Sequence, residues 1–316
     1  MCRQRSAFTL TELLVSMAIA ITLVAFALPM VKFNLEEGKI REASRQVNAF
    51  LAKAKAQAAL TGREMGVYIE PGTNNRATNL YLAETPPAFI GSASNSRVIV
   101  QSNALQFVLD NGTPDSGSTS ILETLLKPDA NTNPTTPLFF QIRFDYKGPL
   151  FDGVATYSSG FTYTLLAPLP GPPPAQTHRS AYQFYCTPRK IQNSNLELPK
   201  GTFLDMSASG VGQTPIDGGT PTILSFGSDG SLRHLFATSS TNASAYNSTI
   251  PLGTVHLLVG RVRTENNAPS PLNDPTSLWV SVGTVSGNIR TSDNVANTGN
   301  IVNAREFAIK HDVKGR

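Results

Sequence analysis

The pattern of hydrophobic and polar positions predicts one long helix at the start of the chain. Residues Leu13–Val31 form a run without a charged side chain, which at 1.5 Å per residue spans roughly 28 Å. Beyond it, apolar residues recur with helical spacing and charged residues mostly occupy the opposite face. The repeating apolar positions are Phe33, Ile40, Val47 and Ala54, with Ala43 or Ser44, Phe50 and Ala58 between them. Gly62 lies where a C-terminal helix cap is expected, so we predict a helix over Phe8–Thr61 whose residues Val47, Phe50, Leu51 and Ala54 are buried.

From Met65 onward the pattern changes to short β-prone runs separated by turn residues. The alternation of apolar and polar residues in Leu138–Tyr146 and Leu278–Val285 is typical of half-buried antiparallel strands, and Gly227–Gly230 is typical of a hairpin. We therefore expect an α+β fold, with the long N-terminal helix packed on an antiparallel β-sheet head. The predicted strands are Met65–Glu70, Asn79–Ala83, Arg97–Gln101, Leu105–Leu109, Leu138–Tyr146, Phe161–Leu166, Ala181–Cys186, Thr222–Phe226, Leu232–Phe236, Val255–Thr264, Leu278–Val285 and Asn288–Thr291.

Composition supports this division and limits the classes of function. The chain has 316 residues, a net charge of +4 and only 15% charged residues, too few for a protein that must neutralise many phosphates, so no nucleic-acid partner is predicted. A hydrophobic content of 40% allows a sizeable core. Of the prolines, only Pro29 precedes Pro71, which agrees with a helical start and a turn-rich remainder.

The first residues raise the question of a secretory signal peptide, because Arg3 and Arg5 precede the apolar run. The run is longer than a usual signal-peptide core, no small-residue cleavage site follows Val31, and the helical pattern continues beyond it. One acidic residue, Glu12, immediately precedes the uncharged run. A carboxylate at membrane depth is a functional candidate, although an acid there also stabilises the first turn of a helix.

The segment Arg5–Val15, RSAFTLTELLV, resembles the class III signal of type IV prepilins and type II secretion pseudopilins. In that family a short basic leader ends in glycine and is followed by Phe-Thr-Leu-x-Glu-Leu-Leu and an apolar helix. The resemblance implies cleavage after Ala7, N-methylation of Phe8, an assembly role for Glu12 and a helix kink at Pro29. Alanine at position 7 departs from the family's glycine, which implies slower processing. The alanine-rich end of the helix further resembles H-type minor pseudopilins.

The resemblance implies a division of the chain into segments. These are a cleaved leader (1–7), a transmembrane segment (8–31), an amphipathic helix (32–64) and a β-rich head (65–316) with a proline-rich loop at 167–175. It also implies a structural subunit of a type II secretion or type IV pilus-like fibre, in the bacterial inner membrane with a single pass and the head in the periplasm or at the cell surface. The implied partners are other pilin or pseudopilin subunits, prepilin peptidase and the inner membrane. Secretion, pilus and DNA-uptake fibres stay open as alternatives.

Nothing in the head predicts catalysis or a cofactor. The histidines His178, His234, His256 and His311 lack metal-ligand spacing, and none of the common nucleophile or phosphate-binding motifs occurs. We therefore predict no enzyme, no cofactor and no metal site, although Asp205, Asp217 and Asp229 in turn-like sequences leave calcium as an alternative. The alternative function is a singly anchored surface protein whose β head binds a ligand or glycan.

Cleavage by prepilin peptidase is the first testable expectation. The basic leader, the small residue Ala7 and the Phe-Thr-Leu-Thr-Glu sequence behind it place the new N-terminus at Phe8. Mass spectrometry of protein purified from its native source should find this N-terminus, with a methyl group on Phe8. Recovery of intact Met1, or of a chain that begins beyond Val31, would contradict the pilin interpretation.

Overall fold

The computed structural model describes residues 10–101, 103–126, 138–167, 169, 179–212, 214–216, 221–239, 242–249, 253–262, 270–295 and 300–310. The backbone alone is described at 26–36, 73, 237–239 and 242–249. The helices are α1 (Leu10–Thr61), α2 (Ser116–Leu126) and α3 (Ile301–Lys310). The strands are β1 (Met65–Glu70), β2 (Arg76–Ala77), β3 (Asn79–Glu84), β4 (Ser96–Gln101), β5 (Ala104–Leu109), β6 (Leu138–Phe144), β7 (Phe151–Tyr157), β8 (Phe161–Leu165), β9 (Tyr182–Cys186), β10 (Arg189–Lys190), β11 (Leu196–Glu197), β12 (Thr202–Val211), β13 (Thr214–Pro215), β14 (Thr222–Phe226), β15 (Leu232–Ser239), β16 (Asn242–Thr249), β17 (Thr254–Arg261), β18 (Leu278–Gly283) and β19 (Ile289–Asp293).

The strands pair into three sheets, and every described pairing is antiparallel. Sheet A has the order β10-β3-β1-β14-β15-β16, with β11 also paired to β3. Sheet B has the order β13-β12-β17-β18-β19, with β2 also paired to β12. Sheet C has the order β4-β5-β8-β7-β6-β9. Sheets A and B share one core with α1, whereas sheet C has a core of its own.

The second half of α1 lies between sheets A and B and supplies one wall of their shared core. Its buried side chains recur at helical spacing and face both sheets. They are Ile40, Ala43, Val47, Phe50, Leu51, Ala54 and Ala58, and we call Ile40–Ala58 the packed segment. The predicted burial of Val47, Phe50, Leu51 and Ala54 is confirmed. The helix ends at Thr61, and Gly62 follows with φ +66°, a left-handed conformation that glycine adopts without steric cost.

The predicted fold class, α+β with a long helix on one antiparallel sheet, is wrong. Strands make up about 42% of the described residues and form three antiparallel sheets with a half-barrel, not a small sheet under one helix. The twelve predicted strands are present with bounds shifted by a few residues. Pairing between strands that are distant in sequence divides them among sheets, and strand periodicity does not encode that pairing.

The expected transmembrane segment at 8–31 and the single-pass inner-membrane localisation are also corrected. Within the described part of the chain, none of the helices is long and apolar enough to cross a bilayer. A span of this kind needs about 20 consecutive, predominantly apolar residues.

Sheet C and α2 form an inserted module between β3 and β10. The two flanking strands pair with each other in sheet A, so the chain leaves that sheet, builds sheet C and returns to the same edge. The module touches sheet A where the rings of Phe139 and Phe236 lie 6.4 Å apart. The proline-rich segment 167–175 connects β8 to β9, both in sheet C, and most of it lies outside the described residues.

The C-terminal helix α3 covers the outer face of sheet B. Ala304 and Ala308 pack on Leu258 and Trp279. Arg305 is buried in this contact and donates to the carbonyl oxygens of Ala208 (2.9 Å), Gly212 (2.6 Å) and Thr214 (3.3 Å). These bonds satisfy backbone acceptors beside the bulge in β12, where the regular ladder is interrupted.

One buried carboxylate organises the inserted module. Asp115 precedes α2 and caps it by accepting a hydrogen bond from the Ser118 N–H at 2.9 Å. The hydroxyls of Ser92, Ser96 and Ser118 donate to the same carboxylate at 2.5–2.8 Å. Burial by itself raises the pKa of Asp115, but the hydrogen bonds from the three serines outweigh it and lower the pKa to about 2.

The packed segment yields a stability prediction with a control on the same helix. Leu51 has no exposed surface, whereas Leu60 is 84% exposed. Leu51→Ala should lower the free energy of unfolding by about 2–5 kcal/mol, because a cavity remains in the core. Leu60→Ala should change it by less than about 0.5 kcal/mol. Chemical denaturation measures both, and equal effects would show that Leu51 does not pack on the sheets.

The Asp115 cluster yields a pH prediction. Because its pKa is lower in the folded than in the unfolded protein, its stabilising contribution is complete above about pH 4 and is lost as pH falls towards 2. The free energy of unfolding of Asp115→Asn should therefore fall less steeply than that of the wild type over this range. An unchanged slope in Asp115→Asn would show that the serine hydrogen bonds do not lower the pKa of Asp115.

Candidate assembly surface

The first half of α1 exposes an unusual amount of apolar surface. Every described side chain from Leu10 to Ala25 is exposed, and we call this range the stem segment. Nine of its large hydrophobic side chains are 54–78% exposed: Leu10, Leu13, Leu14, Val15, Met17, Ile19, Ile21, Leu23 and Val24. Contiguous exposure of this kind marks an interaction surface in proteins.

The apolar side chains surround the stem segment. At 100° per residue, Leu10, Met17 and Ile21 project to one side of the helix. Val15, Ile19 and Leu23 project to the opposite side. A partner on one face would leave the other face in water, so the surface suits a helix enclosed by several neighbours.

Two polar side chains of the stem segment have hydrogen-bond partners within the helix. The Ser16 hydroxyl donates to the Leu13 carbonyl at 2.9 Å. The Thr22 hydroxyl lies 2.8 Å from the Ile19 carbonyl and 3.1 Å from that of Ala18. Because these hydroxyls are already paired, they can enter an apolar interface without an unsatisfied donor.

Of the residues that the signal motif predicts to be functional, Glu12 and Pro29 lie in α1. Glu12 lies exposed in the first turn of α1, where its negative charge also interacts favourably with the helix dipole. Pro29 lies within the continuous helix, and its side chain is outside the description. Ala7 and Phe8, the predicted cleavage and methylation residues, lie outside the described residues.

One histidine–serine pair in sheet B resembles a catalytic contact but is buried. The Nδ1 atom of His256 lies 2.8 Å from Ser281 Oγ across β17 and β18. Burial, together with the charge of Arg305, lowers the pKa of His256 to about 4, so the ring is neutral at pH 7. Because His256 is almost completely buried, a substrate would not reach it, and we interpret the pair as structural.

The side chains of the turn aspartates accept hydrogen bonds from residues of their own loops. Asp205 accepts hydrogen bonds from the Ser207 N–H and hydroxyl at 3.0 and 2.5 Å. Asp229 accepts them from the Ser231 N–H and hydroxyl at 3.0 and 2.7 Å. Asp217, His178 and His311 lie outside the described residues. Within the described ranges, no three His, Cys, Asp or Glu side chains lie together in a way that could hold a metal ion.

The structure also forms a groove that the sequence did not indicate. It has a volume of about 570 Å³ and lies between sheet A and the inserted module. Its lining includes Arg63, Glu64, Phe139, Tyr185 and His234, which come from distant parts of the chain. The Nε2 atom of His234, on β15, lies 3.7 Å from Glu64 Oε1. Periodicity carries no signal for such a site.

The only described cysteine, Cys186, lies in the groove wall and forms no disulfide. Burial raises the pKa of its thiol to about 12, against a smaller opposing effect of Arg189, so the thiol stays protonated at neutral pH. A role as a nucleophile is therefore not supported.

Comparisons with protein-family models, with curated proteins and with solved structures find no match to this chain.

Proposed function

We propose that the protein is a structural subunit, a pseudopilin or minor pilin, of a type II secretion or type IV pilus-like fibre. The observation that carries the proposal is the exposed apolar surface on all sides of the stem segment. In the proposed fibre, the stem segments of several subunits pack together and cover one another. Full burial of each leucine, isoleucine or valine would stabilise the assembly by about 1.5–3 kcal/mol.

The packed segment supports the proposal because it ties the stem to the head. Stem and packed segments belong to one helix, α1. Leu51 and Val47 fix that helix between sheets A and B. Only Gly62, Arg63 and Glu64 separate the end of α1 from β1. A subunit placed by its stem therefore also carries its head in a defined orientation.

Prepilin peptidase is the partner that the proposal requires first. Removal of the leader after Ala7 would leave Phe8 with an amine that is cationic near neutral pH. This amine and the Glu12 carboxylate would lie four residues apart at the start of the helix. Inside an apolar bundle each lone charge is costly, and pairing offsets part of that cost. A pair between the Glu12 of one subunit and the amine of its neighbour would also set the axial register of assembly.

Substitution of Glu12 tests this role. Glu12→Ala should leave cleavage at Ala7 intact and reduce the recovery of partner subunits with the tagged protein by at least about tenfold, because an uncompensated charge would remain in the bundle. Glu42→Ala is the matched control, since Glu42 is an exposed acid on the same helix whose carboxylate accepts from Gln46. This control should assemble like the wild type.

Assembly is measured as the amount of partner subunits that co-purify with the tagged protein from cells that contain the cognate fibre genes. Leader cleavage is measured in the same samples. Normal co-purification of Glu12→Ala would contradict the assembly role. Loss of co-purification in both variants would show a general defect of α1 and would contradict the specific role of Glu12.

A further inference from the structure

The groove between sheet A and the inserted module has the geometry of a ligand site. The turn after α1 supplies Arg63 and Glu64, and the connection after β3 supplies residues 85–88. Strand β15 supplies Arg233, His234 and Phe236, while sheet C supplies the opposite wall. The volume of about 570 Å³ lies within the range of about 300–1,000 Å³ that is usual for small-molecule sites.

The lining combines aromatic rings with planar polar groups. Phe139 and Phe236 are nearly buried and form part of the apolar wall, whereas Tyr185 is partly exposed. Gln141 adds an amide whose nitrogen donates to Asp152 at 2.9 Å. Aromatic faces and side chains that both donate and accept hydrogen bonds suit a ligand with apolar faces and a polar rim.

One polar atom in the wall has no partner. The Oγ1 atom of Thr85 is buried, and no described residue forms a hydrogen bond with it. A buried hydroxyl without a partner is costly and uncommon in native proteins. Because Thr85 lines the groove, a ligand hydroxyl could supply the missing hydrogen bond.

The charges of the groove favour a neutral ligand. Arg63 lies 3.7 Å from Glu84, and Arg233 lies 3.2 Å from Asp229. His234 lies beside Glu64. The two arginines are already paired with carboxylates, so a negative charge on a ligand would add little to its affinity, and a neutral ligand leaves those pairs intact. The same groups still donate and accept hydrogen bonds in fixed directions.

The backbone around the groove does not favour an extended peptide. The Thr85 N–H already donates to the Glu64 carbonyl at 3.1 Å, and the next two residues, Pro86 and Pro87, have no N–H. Phe89 and Phe184 exchange two hydrogen bonds of 2.8 Å at the neighbouring edge of β9. A peptide that adds a strand needs a free edge, and this segment does not offer one.

We propose that the groove binds a short neutral oligosaccharide. A sugar face packs on the partly exposed ring of Tyr185, and the sugar hydroxyls bond to Gln141, Thr85 and the charged groups at the rim. This inference does not depend on the fibre proposal, because none of the residues that line the groove belongs to the stem segment. In a fibre, it would give each exposed head a carbohydrate-binding site.

The test uses the full-length protein with four neutral probes: tetrasaccharides of β-linked glucose, mannose, galactose and N-acetylglucosamine. Isothermal titration calorimetry measures binding by the wild type, Tyr185→Ala and Gln141→Ala. Tyr157→Ala and Gln106→Ala are matched controls, since both residues lie on sheet C away from the groove. Thermal unfolding checks that every variant is folded.

We expect at least one tetrasaccharide to bind to the wild type. Tyr185→Ala and Gln141→Ala should each weaken the affinity for it by about tenfold or more. The two control substitutions should change this affinity by less than about twofold. Absence of binding to all four probes at millimolar concentration would overturn the proposal. Binding that Tyr185→Ala does not weaken, or that the controls weaken equally, would overturn it as well.

Discussion

The contact on which the architecture depends is the burial of one face of α1 between sheets A and B. The sheets share their core with this helix, and the side chains of Val47, Leu51 and Ala54 lie in it without exposed surface. Hydrophobic burial is the dominant favourable term in folding. If the packed segment were removed, the inner faces of both sheets would lose the surface that covers them.

This burial explains why the two halves of one helix differ in sequence pattern. The packed segment needs an apolar stripe on one side only, and its other side carries charge and alanine. The stem segment is apolar on all sides and finds no cover within the described part of its own chain. Because the two segments are continuous, an assembly through the stem would act directly on the orientation of the head. The proposed roles of Glu12 and of the groove lie at opposite ends of this helix.

Much of the local structure could be predicted from the sequence, because helix and strand periods are local signals. The packed segment, the cap at Gly62 and the hairpin at Gly227–Gly230 follow from such signals. The central strand β12 was missed because its sequence, TFLDMSASGV, contains turn-forming residues, and its register shifts between Asp205 and Gly210. Strand β7 was missed as well, since it contains Gly153, whose missing side chain makes room for the Phe140 ring.

The arrangement of sheets could not be predicted, and this made the fold class wrong. Strands β3 and β10 are neighbours in sheet A although the whole inserted module separates them along the chain. The same long-range pairing brings Arg63, Tyr185 and His234 to one groove, so no motif could indicate it. Unlike the groove residues, Glu12 belongs to a short contiguous motif. Its assembly role could therefore be predicted from the sequence.

We infer that the two halves of α1 are covered by different partners. Hydrogen–deuterium exchange of α1 peptides, measured on the isolated subunit and on the assembled fibre, distinguishes the two halves. We expect strong protection of the packed segment in both states, and protection of the stem segment that rises only on assembly. Equal protection of the stem segment in the two states would contradict this inference.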